Sequence, residues 1–187
     1  MKVLFVENED SFSWNVIDAL PFDRSEITVV SGSDSLRLQE ALASTDALVI
    51  GPGPMDPERA GIVDLVTAAA ARRIPTLGIC LGHQAVGLAF GARLIRVEPC
   101  HGKRATIELR GSRFFSSVRG PISAMRYHSL ALTDVVAPLM LVAETADGVA
   151  MAIEHTTLPI AGLQFHPDSF GTPRGREILA SFFKAVA

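Results

Sequence analysis

Gly78-Ile79-Cys80-Leu81-Gly82-His83-Gln84 joins an apolar run, Thr76 to Ile79, to a helical pattern, Leu81 to Phe90, with a cysteine at the junction. A strand that turns sharply into a helix strains the residue at its apex and leaves room only for small neighbours. Gly78 and Gly82 provide that room. A cysteine at such an apex stands at the end of a sheet strand, where the positive end of the following helix favours the thiolate, the reactive species. On these seven residues alone, a buried thiol in an ordinary strand-to-helix turn fits equally well.

Upstream of the elbow, Val3 to Val6, Ile27 to Val30 and Ala47 to Ile50 read as buried strands. Between them, Phe12, Val16, Ala19 and Leu20 recur at helical spacing behind the N-cap candidates Asp10 and Ser11, and Leu36 to Leu42 forms a second helix. Gly51-Pro52-Gly53-Pro54 is a loop in which two residues lack a backbone N–H, and Ile62, Leu65, Val66 and Ala69 mark the helix after it. Strands alternating with helices of this length predict an α/β fold with an open, mostly parallel central sheet and flanking helices. Past Gly91, a C-cap candidate, the pattern changes. Arg93 to Val97, Ala105 to Leu109, Ile122 to Met125, Leu139 to Glu144 and Ala150 to Ile153 read as added antiparallel strands on the same body. Ile160 to Phe165 is one more core strand, and Ile178, Leu179, Phe182 and Phe183 give a closing helix.

The chain has 187 residues, a size expected to form one domain over 1–187. It is 48% hydrophobic and 20% charged with a net charge of −3, which asks for neither nucleic acid nor an anionic membrane. No apolar run approaches the roughly 20 residues that span a bilayer. Glu7, Glu9 and Asp10 interrupt the start too soon for a signal peptide, so a cytoplasmic protein is expected. Two cysteines, Cys80 and Cys100, make no disulfide framework, and neither recurs at zinc-site spacing, so no metal is expected.

A cysteine nucleophile needs a base, and the base needs a group to orient it. Five histidines compete for the role. His83 lies one helical turn past the elbow, His101 reads as a loop residue, and His155 as part of a solvated turn after a strand. His166 ends the run Ile160 to Phe165, is followed by Pro167, and has an acid two residues on, Asp168. In a parallel sheet the carboxyl ends of neighbouring strands meet at one edge, which brings a strand-end histidine to a strand-end cysteine across 86 residues of sequence. A capping histidine beside a solvated acid is the alternative.

Six segments then stand in order: Asp10-Ser11-Phe12 with Asn15, Gly51-Pro52-Gly53-Pro54, the elbow, His101-Gly102-Lys103, Arg126-Tyr127-His128-Ser129-Leu130, and Gly162-Leu163-Gln164-Phe165-His166-Pro167. Together they resemble the class I, triad-type glutamine amidotransferases, and most of all the small amidotransferase components of anthranilate synthase and aminodeoxychorismate synthase. The resemblance implies a flavodoxin-like core and a glutaminase. Cys80 would attack the side-chain amide carbon of L-glutamine, His166 would pass a proton to the departing ammonia, Asp168 would orient His166, and water would clear the thioester. Backbone N–H of Leu81 and Gly53 would stabilise the tetrahedral oxygen, Gly53 because its neighbours Pro52 and Pro54 have no N–H. Gly53, Pro54, Met55, Gln84, Ser129 and Leu130 would bind glutamine. The resemblance further implies a larger chorismate-binding synthase partner, docked around the His101 loop and the mouth near Cys80, with no cofactor in this chain and Mg²⁺ in the partner.

The chain departs from the family's pattern at two places. Asp168 stands where the family has glutamate, which shortens the carboxylate's reach by roughly 1.5 Å. Met55 stands where the related components carry glycine, putting a side chain at the pocket or the ammonia exit. Two other readings follow. One is a catalytically weakened regulatory or binding subunit of the same fold. The other is an unrelated thiol hydrolase of α/β-hydrolase type, although there the acid precedes the histidine.

Overall fold

The computed structural model describes all 187 residues. Its elements run β1 (Val3–Glu7), α1 (Ser13–Ala19), β2 (Ile27–Ser31), α2 (Ser35–Leu42), β3 (Ala47–Ile50), α3 (Ile62–Ala71), β4 (Thr76–Ile79) and α4 (Leu81–Ala89). They continue with β5 (Arg93–Glu108), β6 (Pro121–Thr133), β7 (Leu139–Glu144), β8 (Ala150–His155), β9 (Ile160–Leu163) and α5 (Gly175–Val186).

Seven strands form one sheet in the order β2-β1-β3-β4-β9-β8-β7. The first five are mutually parallel, and β8 and β7 extend the sheet antiparallel beyond β9. The parallel part has the flavodoxin-like order, with β9 arriving from far along the chain to lie beside β4.

Successive side chains of a strand point to opposite faces, and the two cores sort accordingly. Val3, Phe5, Ala47, Val49, Leu77, Ile79, Ala161 and Leu163 face one core with Val16 and Ile17 of α1 and Ile178, Leu179 and Phe182 of α5. Leu4, Val6, Leu48, Ile50 and Ile160 face the other with Leu38 and Leu42 of α2, Leu65 and Val66 of α3, and Ala85 and Val86 of α4. The central strands are buried on both faces, which is why β1, β3, β4 and β9 read as unbroken apolar runs rather than alternating ones.

Several local expectations are corrected. Phe12, rather than Asp10 or Ser11, is the residue before α1, and it makes no side-chain cap. Asp10 instead accepts from Phe12 N–H at 2.7 Å. The antiparallel half divides: β7 and β8 join the main sheet, whereas β5 and β6 pair only with each other in a long ribbon. β5 bridges the interval expected as loop, so His101 lies in a strand, next to a bulge at which Gly102 takes φ +69°. The β9 strand ends at Leu163, two residues early: Gln164 N–H still reaches Met151 O of β8, but His166 N–H turns out of the sheet to Met125 O of β6. His155 is buried rather than solvated, its Nδ1 accepting from Thr157 and Leu158 N–H. Gly91 takes φ +92°, and Ala92 N–H returns to Gly87 O, the expected glycine C-cap. No helix is long and apolar enough to cross a membrane.

Candidate active site

Cys80 takes φ +52° and ψ −99°, a conformation open to few non-glycine residues and held here by its surroundings. Its N–H is bonded to Leu163 O of β9 at 2.8 Å, and its carbonyl receives Gln84 N–H of α4. The glycines on either side permit the approach. A Cβ on Gly78 would stand 2.2 Å from Gly82 O, and one on Gly82 would stand 2.2 Å from Ile50 O of β3. Helix, elbow and two strands therefore meet through bare backbone.

Gly78 and Ile79 pair with Gly162 and Leu163, so the ends of β4 and β9 are adjacent and His166 emerges three residues past the ladder. The chain is pinned there by His166 N–H to Met125 O at 3.0 Å and by Thr172 Oγ1, which donates to His166 O at 2.8 Å and accepts from Met125 N–H at 2.9 Å. The imidazole is boxed by Tyr127 and Phe12, whose rings meet it edge-on at 5.1 and 6.0 Å. Asp168 Oδ1 lies 3.6 Å from His166 Nδ1, both side chains almost wholly buried. That is an ion-pair distance but too long for a hydrogen bond, and both imidazole nitrogens and Asp168 Oδ1 are unpartnered. Burial opposes the charged imidazole, but Asp168 on one side and Cys80 on the other outweigh it and push the His166 pKa up to about 10.

The loop after β3 closes over the same edge. Asn8, at the end of β1, donates to Gly51 O at 3.1 Å, and a Cβ on Gly53 would meet both Leu81 and Asn8 within 2.7 Å. Gly53 N–H has no acceptor within the chain, and Leu81 opens α4, where the first N–H groups have no intrahelical partner. Pro54, Met55, Ser129 and Leu130 line one cleft of about 480 Å³ with Arg59 and Arg96. Gln84 does not line it but is bonded to its wall, Nε2 donating to Leu130 O and to Gln164 Oε1, each at 3.2 Å. A second cleft, of about 450 Å³ between β5 and β7, contains none of these residues.

Cys80, Leu81, Gly53, His166 and Asp168 thus gather at the carboxyl edge of the sheet, and the cleft of Pro54, Met55, Ser129 and Leu130, lined by neither Cys80 nor His166, is tied to it through Gln84. His83 and Cys100 stand apart: His83 is buried beneath Gly162, with burial pushing its pKa down to about 3, and Cys100 pairs with His128 across the ribbon. No three His, Cys, Asp or Glu side chains gather in a way that could hold a metal ion.

Sequence reading missed four contributors. Gln164 Nε2 lies 3.7 Å from Cys80 Sγ. His128 accepts from Arg126 Nε and donates from Nδ1 to Leu130 O, with burial first and Arg126 second pushing its pKa down to about 4, so it is neutral. Phe12 covers His166, and Thr172 holds its backbone. Phe12, His128 and Gln164 lay inside quoted segments without an assigned role. Thr172 left no signal in the sequence.

The family model for "Glutamine amidotransferase class-I" matches residues 4–186. Anthranilate synthase component 2 of Azospirillum brasilense is 40% identical over 98% of this chain and 96% of its own length. Aminodeoxychorismate synthase of Streptomyces griseus is also 40% identical over 97% of this chain, which spans only 26% of that protein. A glutamine amidotransferase structure from Thermotoga maritima superposes with a TM-score of 0.75 at 17% identity, covering 98% of this chain and 82% of that one, and shows the same fold. With these matches over nearly its whole length, the chain belongs to the class-I glutamine amidotransferase family.

Proposed function

We propose that this chain is the glutaminase subunit of a chorismate-using synthase, with Cys80, His166 and Asp168 as its triad. The observation that carries the triad is His166 itself, a buried imidazole between the elbow cysteine and a buried carboxylate, poised as the imidazolium. Cys80 thiolate attacks the amide carbon of L-glutamine, and the electron pair of the C=O moves to oxygen. Gly53 and Leu81 N–H receive that oxyanion. His166 protonates the nitrogen as the C–N bond breaks, releasing ammonia and leaving the γ-glutamyl thioester. Water then attacks the thioester, His166 takes its proton, and glutamate leaves with the thiolate restored.

Glutamine sits in the cleft bounded by Pro54, Met55, Ser129 and Leu130. Because both hydrogens of Gln84 Nε2 are engaged, its carbonyl oxygen remains to accept from a substrate N–H. The mechanism uses no cofactor in this chain. The names of the Azospirillum and Streptomyces relatives support ammonia delivery to a larger chorismate-binding subunit, which would hold Mg²⁺ and dock around His101 and the mouth at Cys80. The same reading makes residues 1–187 one amidotransferase domain working in the cytoplasm, without nucleic acid or membrane.

A diazoketone analogue of glutamine tests this. It should label Cys80 once per chain and spare Cys100, and Cys80→Ser should lose glutamine turnover by roughly 10³-fold or more. Label on Cys100, or wild-type turnover in Cys80→Ser, defeats the reading. The 3.6 Å gap between His166 and Asp168 favours a second reading, a subunit weakened until its partner docks. Turnover of the isolated chain equal to that of the complex would reject it.

A further inference from the structure

Gln164 is fully buried beside the nucleophile and has no part in the triad or the pocket as described. Its backbone N–H is satisfied by Met151 O at 2.9 Å, so the side chain is free to serve another purpose. A carboxamide has one accepting and one donating end, and here the network decides which faces where. Gln84 Nε2 donates to Gln164 Oε1 at 3.2 Å, which leaves the Gln164 Nε2 end toward Cys80 Sγ at 3.7 Å. Gln84 is oriented by acceptors alone, Gln164 Oε1 and Leu130 O.

Leu130 O is fixed in turn. Arg126, which can only donate, gives Nε–H to His128 Nε2 at 3.1 Å. The proton of the neutral ring is then on Nδ1, and that nitrogen donates to Leu130 O at 3.0 Å. From a cation at one end to a sulfur at the other, each group in the series has one orientation that satisfies its neighbours.

We propose that Gln164 is a positioning residue for glutamine hydrolysis. Its carboxamide N–H holds the Cys80 sulfur in line for attack, and its carbonyl ties that sulfur through Gln84 to Leu130 on the wall of the substrate cleft. The inference rests on Cys80 being the nucleophile. An N–H aimed at sulfur interacts more strongly with the anion than with the neutral thiol, and a fixed sulfur direction keeps the attack distance short.

Gln164→Glu keeps an acceptor for Gln84 and places a carboxylate oxygen where the N–H faced sulfur. Gln164→Met fills the space with neither group. In both, kcat should fall on the order of 10²-fold while KM stays within about threefold, the pattern of misplaced chemistry rather than lost binding. Alkylation of Cys80 by chloroacetamide should slow with kcat. Variants matching the wild type in kcat and alkylation rate overturn the proposal, and so does a loss that only tracks the unfolded fraction in circular dichroism. If both variants unfold, the wild-type chain gives the answer: the Gln164 side-chain amide signals in ¹⁵N NMR must move when chloroacetamide caps Cys80, and unmoved signals overturn the proposal. An inactive Cys80→Ser beside a fully active Gln164→Glu defeats this inference alone. An active Cys80→Ser defeats the triad reading beneath it.

Discussion

The two arms of the site differ in how their reacting groups are held. The Cys80 elbow is held by backbone against backbone, with Gly78 on Gly82 O, Gly82 on Ile50 O, and Cys80 N–H on Leu163 O. The His166–Asp168 arm shares some of that backbone packing, His166 N–H on Met125 O and Gly175 against Pro167 O, but its reacting ring is enclosed by the side chains of Tyr127 and Phe12 and both imidazole nitrogens are unpartnered. A cleft of about 430 Å³ opens on its far side between Asp18, Asp168, Phe170 and Arg176, and Phe170 is 82% exposed. The nucleophile is therefore tied to the sheet through its own backbone, while its base is enclosed by rings and holds no hydrogen bond through its imidazole.

The sharpest way to break this contrast is at Gly82. Gly82→Ala puts a methyl 2.2 Å from Ile50 O at the end of the central strand β3, and nothing there is the flexible end of a side chain. It should cost roughly 4 kcal/mol or more, enough to leave little folded protein. Gly148, with φ +79° and open space around it, is the control: Gly148→Ala should cost about 1 kcal/mol of local strain. Thermal unfolding of the two variants decides the matter, and equal melting temperatures would mean the elbow can yield after all.

The same contrast explains what the sequence revealed. Backbone packing writes itself into composition, as glycines flanking Cys80 and apolar runs at β1, β3, β4 and β9, so the parallel half and the elbow were legible. The Asp168 gap was anticipated from one missing methylene, a matter of bond lengths. The ribbon was not foreseen as a separate sheet because strands β5 to β8 share one local pattern, and which partner each finds depends on long-range pairing. Gln164 and Thr172 were invisible for a related reason: the groups they serve, Cys80 Sγ, His166 O and Met125 N–H, come from distant segments or carry no side-chain signature. Gln84 was assigned to glutamine from the resemblance, but its bond to Gln164 emerged only with the fold.

Asp168 gives the next largest effect. Asp168→Asn removes the charge that supports imidazolium while nearly preserving shape, and kcat for glutamine should fall about 10²-fold with KM little changed. Asp168→Glu restores the missing methylene and should close the 3.6 Å gap, raising kcat of the isolated chain by about threefold. If Asp168→Asn were as fast as the wild type, the carboxylate would not orient His166. If Asp168→Glu were slower, the loop would already sit where the shorter side chain needs it.

The smallest effect is also the one that separates the two arms in a single experiment. His166 has a pKa raised to about 10, so its stabilising contribution is complete below the ordinary histidine value near 6.5 and is lost as pH rises toward 10. His83 and His128 have values lowered to about 3 and about 4, so their contribution is complete above about 6.5 and is lost as pH falls toward those values. The melting temperature should therefore decline on both flanks, by His166 on the alkaline side and by the buried neutral pair on the acid side. Cys80→Ser removes one of the two supports of the His166 charge. It should move the alkaline decline to lower pH and shrink it, leaving the acid flank where it was, since neither His83 nor His128 owes its shift to Cys80. An alkaline flank unmoved in Cys80→Ser would show that the elbow sulfur and the His166 charge do not sense each other, and the two arms would then be neighbours without being a pair.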